Sequence, residues 1–532
     1  MSESTEPLAG IAAMFDKPQP RAQRRDLDLA KLPRNDYGNA QRLIGRFGRD
    51  LMYVDEHGWY VWDGRRWSGE AGDVRALVMA HQTAEAIKKE ATALKEEMLS
   101  IFDLPMADRP PGFDREETED AIKKHWSFAV ASGNTNKANA MLQAAVPYLR
   151  VSPRELDADN WLLNVLNGTL ELRHMGGDGH PGIRLREHRR EDRITLLANV
   201  TYDPQAQAPI WNRTVDRVLP VAPVRIYLQT YLGLCLTGDV SEQKIAILSG
   251  VGANGKSTIV DATHHLLDDY AAITPIQTLM YDDRRSGSQA SPDVARLEGK
   301  RLVLASEPEV GQRLSESFVK MVTSGEPIAA RHLNKGFFEY LPRFKLGVSV
   351  NIKPTVQGQD HGIWRRITIV PFDVVIPEEE RDKQLGEKLV PERSGILNWL
   401  LEGLTRWFAD GRLVTPDEVK AATEDYREST QPFSQFVKSA LRETPGATVT
   451  AKRVYELYKG WCDANAYEPL SQSKIGRLLD NMGFKKHKVG IVYYVNTELV
   501  VETFKQPKPS ETDDESGGGD GSPEPPPPDM DS

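Results

Sequence analysis

The stretch "KIAILSGVGANGKSTIVDATHHLL", residues 244–267, leaves the backbone few options. Lys244 to Leu248 is short, apolar and β-prone, whereas Ile259, Val260, Leu266, Leu267 and Tyr270 recur at helical spacing. Between the two runs lie Gly250 and Gly255, with Lys256 and Ser257 directly behind. Strand, tight glycine loop and helix form the context in which G-x-x-x-x-G-K-[ST] reads as a phosphate-binding P-loop. Glycines let successive N–H groups converge on phosphate oxygens, and the helix adds the positive end of its dipole. The candidate ATP-binding set is therefore Gly250, Gly252, Ala253, Asn254, Gly255, Lys256, Ser257 and Thr258. Lys256 can reach the β- and γ-phosphates, and the Ser257 hydroxyl can serve Mg2+. The bland alternative is a glycine-rich turn carrying an exposed lysine.

Such a loop needs an acid at the tip of another buried strand, to hold magnesium or orient water. "GKRLVLASEPEVG" supplies an apolar run, 301–305, that ends in Glu307 and Glu309. A further strand, "KLGVSVN", ends in Asn351, an amide placed to sense the γ-phosphate or position water. "GIWRRITIVPF" sets Arg365 and Arg366 ahead of another apolar strand, and arginine suits the charge of a transferring phosphoryl group. Surface carboxylates after a strand and an ordinary surface arginine pair are the plain alternatives.

In the order P-loop, strand-Glu, strand-Asn, Arg-Arg-strand, the chain resembles the superfamily 3 helicases of the phage/plasmid primase family. "GANGKST", "LEGKRLVLASEPE", "VTSGEPIAARHLNKGFFEYLPRFKLGVSVNIKP" and "DHGIWRRITIVPF" carry the resemblance, which covers roughly residues 35–430. It implies an α/β fold with an AAA+-like P-loop NTPase core at 206–430, behind an α+β domain at 36–205. It also implies Lys256 and Ser257 as Walker A ligands, Glu307 as the Walker B acid and second magnesium ligand, and Asn351 as sensor. Arg365 or Arg366 would act on the neighbouring subunit's nucleotide, and Arg331, His332 and Lys335 would form a hairpin reaching into a central pore. Ser306 stands where many motors carry a second acid, so Glu307 and Glu309 both stay open. The primase domain common in this family has no counterpart here, since no paired-carboxylate strand or zinc cluster suited to primer synthesis occurs; a separate primase would be a partner.

Charge at first argues against a nucleic-acid partner, because the net charge is −10. Eight of the carboxylates lie in the acidic, Pro/Gly-rich tail from Glu511 to Ser532, so the body is close to neutral and can carry basic patches. Segments 1–35 and 506–532 read as disordered. With no run approaching the roughly eighteen apolar residues of a membrane span and no secretory signal at "MSESTEPLAG", the expectation is a protein of the bacterial host cytoplasm. Two distant cysteines, Cys235 and Cys462, form no zinc or redox motif.

Three further segments complete the organisation. "DLMYVDEHGWYVWDGRRW" alternates as a β-hairpin whose Trp59, Trp62 and Trp67 line a small core or stack on bases. Helices are expected near 74–99, 115–148 and 211–237, and "WLLNVLNGTLELR" reads as strands about an Asn167-Gly168 turn. Residues 431–505 show three helical patterns and a hairpin, a winged helix whose Lys474, Arg477, Lys485, Lys486 and Lys488 suit DNA phosphates. The expected function is an ATP- and Mg2+-dependent DNA helicase, a homo-oligomer of hexamer type acting on single-stranded and forked DNA in phage or mobile-element replication. The rivals are a DNA-binding initiator ATPase that assembles without unwinding, and a small-molecule P-loop kinase.

Overall fold

The apolar runs of the middle third become one parallel sheet. The computed structural model describes residues 22–109, 113–175, 181–282, 291–309, 311–331, 336–356, 358, 361–430, 432–465 and 467–504. These fall into two compact units, one ending at Tyr426 and one beginning at Arg427.

The first unit opens with helices Ala22–Ala30 and Asp36–Phe47 and the strands β1 (Leu51–Val54), β2 (Gly58–Trp62) and β3 (Trp67–Ser68). β1 and β2 form the expected hairpin, with Leu51 opposite Val61 and Val54 opposite Gly58. Trp59 and Trp67 are buried in the local core, as a tryptophan-lined β-core requires. Helix Gly72–Phe102 packs on helix Arg115–Ser132. The single helix expected over 115–148 is two, Arg115–Ser132 and Thr135–Leu149, because Gly133 ends the first and Asn134 starts the second. β4 (Arg150–Val151) then joins β1 in parallel.

A cluster of charges lies inside this helical part. Glu90 is fully buried and accepts from Arg42 Nε at 2.9 Å and Arg46 Nη2 at 2.8 Å, with His125 Nε2 3.1 Å away. Burial pushes the Glu90 carboxyl up, but the bonds to His125, Arg42 and Arg46 outweigh it and hold it below the usual range.

Strands β5 (Leu162–Val165), β6 (Gly168–Met175) and β7 (Pro181–Arg186) make a three-stranded antiparallel sheet. Val165 pairs with Gly168, so the turn residues are Leu166 and Asn167, one position before the expected turn. The helix expected over 211–237 is divided into Pro209–Val218 and Ala222–Leu234, with Pro220 between them.

The central sheet runs in the order β14 (Ile367–Pro371), β8 (Ile245–Ser249), β13 (Lys345–Val350), β10 (Leu302–Ser306), β9 (Ala271–Ile273), all parallel. Alternate residues serve opposite faces: Ala246, Leu248, Leu302 and Leu304 join one core, while Ile245, Ile247, Val303 and Ala305 join the other. The first core also takes in Leu163, Val165, Leu170 and Leu172, which fuses the β5–β7 sheet to the central one. Between β10 and β13, an antiparallel pair is inserted, β11 (Ile328–Arg331) and β12 (Phe337–Tyr340).

The second unit has helix Pro432–Ala440, β15 (Leu441–Thr450), helices Ala451–Ala464 and Gln472–Asn481, then β16 (Lys486–Val489) and β17 (Ile491–Leu499). Its antiparallel sheet runs β15-β17-β16 around a core of Phe433, Phe436, Tyr458, Trp461, Ile475 and Leu479. The three helices and the hairpin match expectation. β15 does not, because Pro445 and Gly446 make its sequence read as a connection, and its pairing register shifts at that place.

Candidate functional site

Three neighbouring strands of the parallel sheet end on the same edge, and their tips carry the site. β8 ends at Ser249 and the chain turns through 250–255 into helix Lys256–Leu267. The turn needs left-handed backbone at Gly252, Ala253 and Gly255, with φ of 97°, 49° and 80°. Gly250 is needed for a different reason. A Cβ there would lie 2.2 Å from Asn254 Nδ2 and 2.3 Å from the Phe372 carbonyl.

Lys256 is only 4% exposed, and its ammonium donates to Gly250 O at 2.7 Å, Asn254 Oδ1 at 3.0 Å and Asn351 Oδ1 at 3.2 Å. Burial lowers its pKa, and the Glu307 carboxylate works against that shift. Asn254, itself buried, spends its amide NH2 on Phe372 O at 3.2 Å. Ile376 N donates to Ala253 O at 2.8 Å, so the turn is tied at two points to the chain leaving β14.

Asn351 follows β13, and Glu307 follows β10. Asn351 Nδ2 donates to Glu307 Oε1 at 3.1 Å, which completes a chain from Lys256 through Asn351 to Glu307. Glu307 is exposed and has φ of 56°, unusual for a residue with a side chain, while its N–H is fixed on Ser349 O at 3.0 Å. Glu309 is engaged elsewhere: its N–H meets Gln312 Oε1 at 3.1 Å, and its carboxylate accepts from Gln312 Nε2 at 3.4 Å. Ser257 is exposed in the first helical turn and Thr258 is half-buried.

The two arginines before β14 have different surroundings. Arg365 is exposed and donates to Gln243 Oε1 at 2.9 Å. Arg366 is 7% exposed and bonds Thr323 Oγ1 at 3.0 Å and Gly362 O at 2.6 Å inside its own subunit. Of the two candidates for acting on a neighbour, Arg366 is thus enclosed within its own chain, whereas Arg365 is exposed. Arg331 closes β11 with its guanidinium 5.3 Å from the Phe337 ring centre, while His332 and Lys335 lie outside the described residues.

In the second unit, Lys474 and Arg477 are exposed on helix Gln472–Asn481, and Lys485 and Lys488 are exposed at β16. Lys486 differs from them. Its ammonium is bound to Asp480 and to Gly476 O, so it ties β16 to that helix.

A cavity of about 780 Å³ adjoins the 250–255 turn, and Gly250, Val251 and Asn351 form part of its wall. The 218–224 connection and helix Asp417–Ser429, which contributes Glu418 and Asp425, also line it. Lys353 lines it as well. Sequence reasoning missed Lys353, Glu418 and Asp425. Lys353 stands two residues past Asn351, but nothing in sequence brings the helix near it.

The fold and site define an α/β protein with a buried lysine, an amide and a carboxylate linked at adjacent tips of a parallel sheet. Residues 40–220 match the family described as "D5 N terminal like". A protein of Acanthamoeba polyphaga mimivirus named "Putative helicase" is 28% identical over 376 residues, 66% of this chain and 38% of that protein. One of African swine fever virus named "Putative primase" is 22% identical over 333 residues, 58% of this chain and 34% of its own length. The chain thus spans less than two-fifths of the curated relatives it matches. The apo structure of the NrS-1 C-terminal region is 12% identical and covers 56% of this chain and 77% of that one, with a TM-score of 0.35. The resemblance read from the motifs agrees with these matches, a D5 N terminal like model over residues 40–220 and relatives named helicase and primase.

Proposed function

We propose that the chain is an ATP-driven DNA helicase of superfamily 3 type that acts in DNA replication. The observation that carries the reading is the chain of hydrogen bonds from Lys256 through Asn351 to Glu307. It spans three adjacent strand tips, beside a turn with three left-handed residues and a cavity large enough for a nucleotide. On this reading the 250–255 turn is a P-loop whose N–H groups hold the phosphates. Lys256 leaves its carbonyl and amide partners for the β- and γ-phosphates, and Asn351 senses the change. Glu307, exposed at its strand tip, orients or deprotonates the attacking water.

Mg2+ fits the donor set. Ser257 and Glu307 offer hard oxygen ligands at exposed positions. Among the described residues no three His, Cys, Asp or Glu side chains cluster. Magnesium takes most of its ligands from phosphate and water and needs no such cage. When bound, it supplies charge neutralisation on the phosphates.

Grip on DNA is assigned to the β11–β12 hairpin, with Arg331 at its described end and His332 and Lys335 from the family resemblance. The helix, strand, helix, helix, strand, strand order of the second unit supports a winged helix, with Lys474, Arg477, Lys485 and Lys488 available to phosphates. A ring of six copies, with Arg365 acting on the neighbour, and a separate primase complete the proposal. Among the described residues no helix is long and apolar enough to cross a membrane.

ATP hydrolysis and strand displacement on forked DNA are the test, with native mass measured in the presence of nucleotide and single-stranded DNA. DNA-stimulated hydrolysis without displacement replaces the helicase by an initiator ATPase. Phosphate transfer to a nucleoside instead of water selects the kinase.

A further inference from the structure

We propose that Lys353 is a second cation of the nucleotide site, contacting the phosphate chain alongside Lys256. The proposal rests on the nucleotide reading above and deepens it. Lys353 lines the cavity that also contains Gly250, Val251 and Asn351, and it stands two residues beyond the amide that touches Lys256.

How its charge is held matters most. The Lys353 ammonium lies 5.6 Å from the centre of the Tyr426 ring, and among the described residues it forms no ion pair. It does so although Glu418 and Asp425 line the same cavity. An aromatic face attracts a cation without neutralising it, so the full charge is available to an entering anion. A lysine paired with a carboxylate would first have to break that pair.

The support for Lys353 is rigid. Tyr426 is 1% exposed, its ring packs edge-on to Trp364 at 5.6 Å, and its hydroxyl donates to the Pro354 carbonyl. Pro354 in turn restricts the backbone of Lys353 to extended conformations. The ring under the ammonium and the chain that carries it are therefore fixed to each other. This arrangement suits a group that must meet phosphate in one place.

The test is nucleotide affinity of the full chain, measured for AMP-PNP and for ADP. Lys353→Met is expected to weaken AMP-PNP binding at least about tenfold, the effect of removing one charged hydrogen-bonding partner. The thermal midpoint without nucleotide should not move, and Lys353→Arg should recover most of the affinity. A larger loss for AMP-PNP than for ADP assigns Lys353 to the γ-phosphate; an equal loss assigns it to the phosphates the two share. If Lys353→Met binds AMP-PNP as tightly as wild type, the proposal is overturned while the nucleotide reading stands. If wild type binds neither nucleotide, or Lys256→Ala binds as well as wild type, the nucleotide reading itself fails.

Discussion

The carboxamide of Asn351 faces two ways: its oxygen accepts from Lys256 Nζ at 3.2 Å, and its nitrogen donates to Glu307 Oε1 at 3.1 Å. A phosphate that draws Lys256 away loosens the same amide that holds Glu307. On the proposed reading, occupancy of the turn and freedom of the acid are thereby linked through one side chain. Asn351→Asp keeps an acceptor for Lys256 but sets a carboxylate against Glu307. It should bind ATP and lose turnover; hydrolysis at the wild-type rate would break the link.

Glu307→Gln preserves shape and removes the proposed base. It should retain nucleotide binding and lose about 10²-fold or more in rate, the scale of general-base catalysis. Lys256→Ala should lose both binding and hydrolysis. Glu309→Gln should stay close to wild type, because among the described residues Glu309 bonds to Gln312 of its own turn and not to Lys256 or Asn351. If the Glu309 variant is the inactive one, the roles are reversed.

Arg365 and Arg366 should separate cleanly. Arg365→Ala is expected to lower hydrolysis by ~10³-fold without a change in thermal midpoint, the scale of an arginine finger. Mixed rings with Lys256→Ala subunits should regain part of the activity. Arg366→Ala instead strips the buried Thr323 hydroxyl and Gly362 carbonyl of a partner, so it should cost about 2 kcal/mol of stability. Equal effects of both variants on stability would refute the distinction.

In the second unit, Lys474→Ala and Arg477→Ala should each weaken duplex binding across all sequences. Each should also flatten the dependence of log affinity on log salt by about 0.9. Lys486→Ala should lower thermal stability with little change in that slope, because its ammonium is committed to Asp480 and Gly476. Titration of duplex affinity against salt decides between the two roles.

Acid should attack the helical part through Glu90. Its carboxyl is held below the usual range in the fold, so its stabilisation is complete above the unfolded value and is lost as pH falls through the folded one. Glu90→Gln should destabilise the protein by ~3 kcal/mol at neutral pH, since Arg42 would stay buried without its counter-charge and Arg46 would keep only Asp26. It should also flatten the acid limb of stability measured by denaturant unfolding. An unchanged acid limb would count against the assignment.

Short-range patterns in the sequence determined much of this protein. The turn from β8 into helix Lys256–Leu267 is legible because glycine spacing and apolar runs act over a few residues, and the β1–β2 hairpin is legible for the same reason. Gly133 and Pro220 broke helices drawn as continuous, which local rules could have anticipated. The tertiary structure alone decided which polar residue meets which. Glu307 rather than Glu309 joins Lys256 because a left-handed residue after β10 aims it across to Asn351, 44 positions away. Arg366 is enclosed by Thr323, Lys486 is tied down by Asp480, and Lys353 rests on Tyr426, each through packing between elements that sequence spacing does not relate. Burial and partner choice depend on the whole fold, whereas a turn or a strand depends on its own few residues.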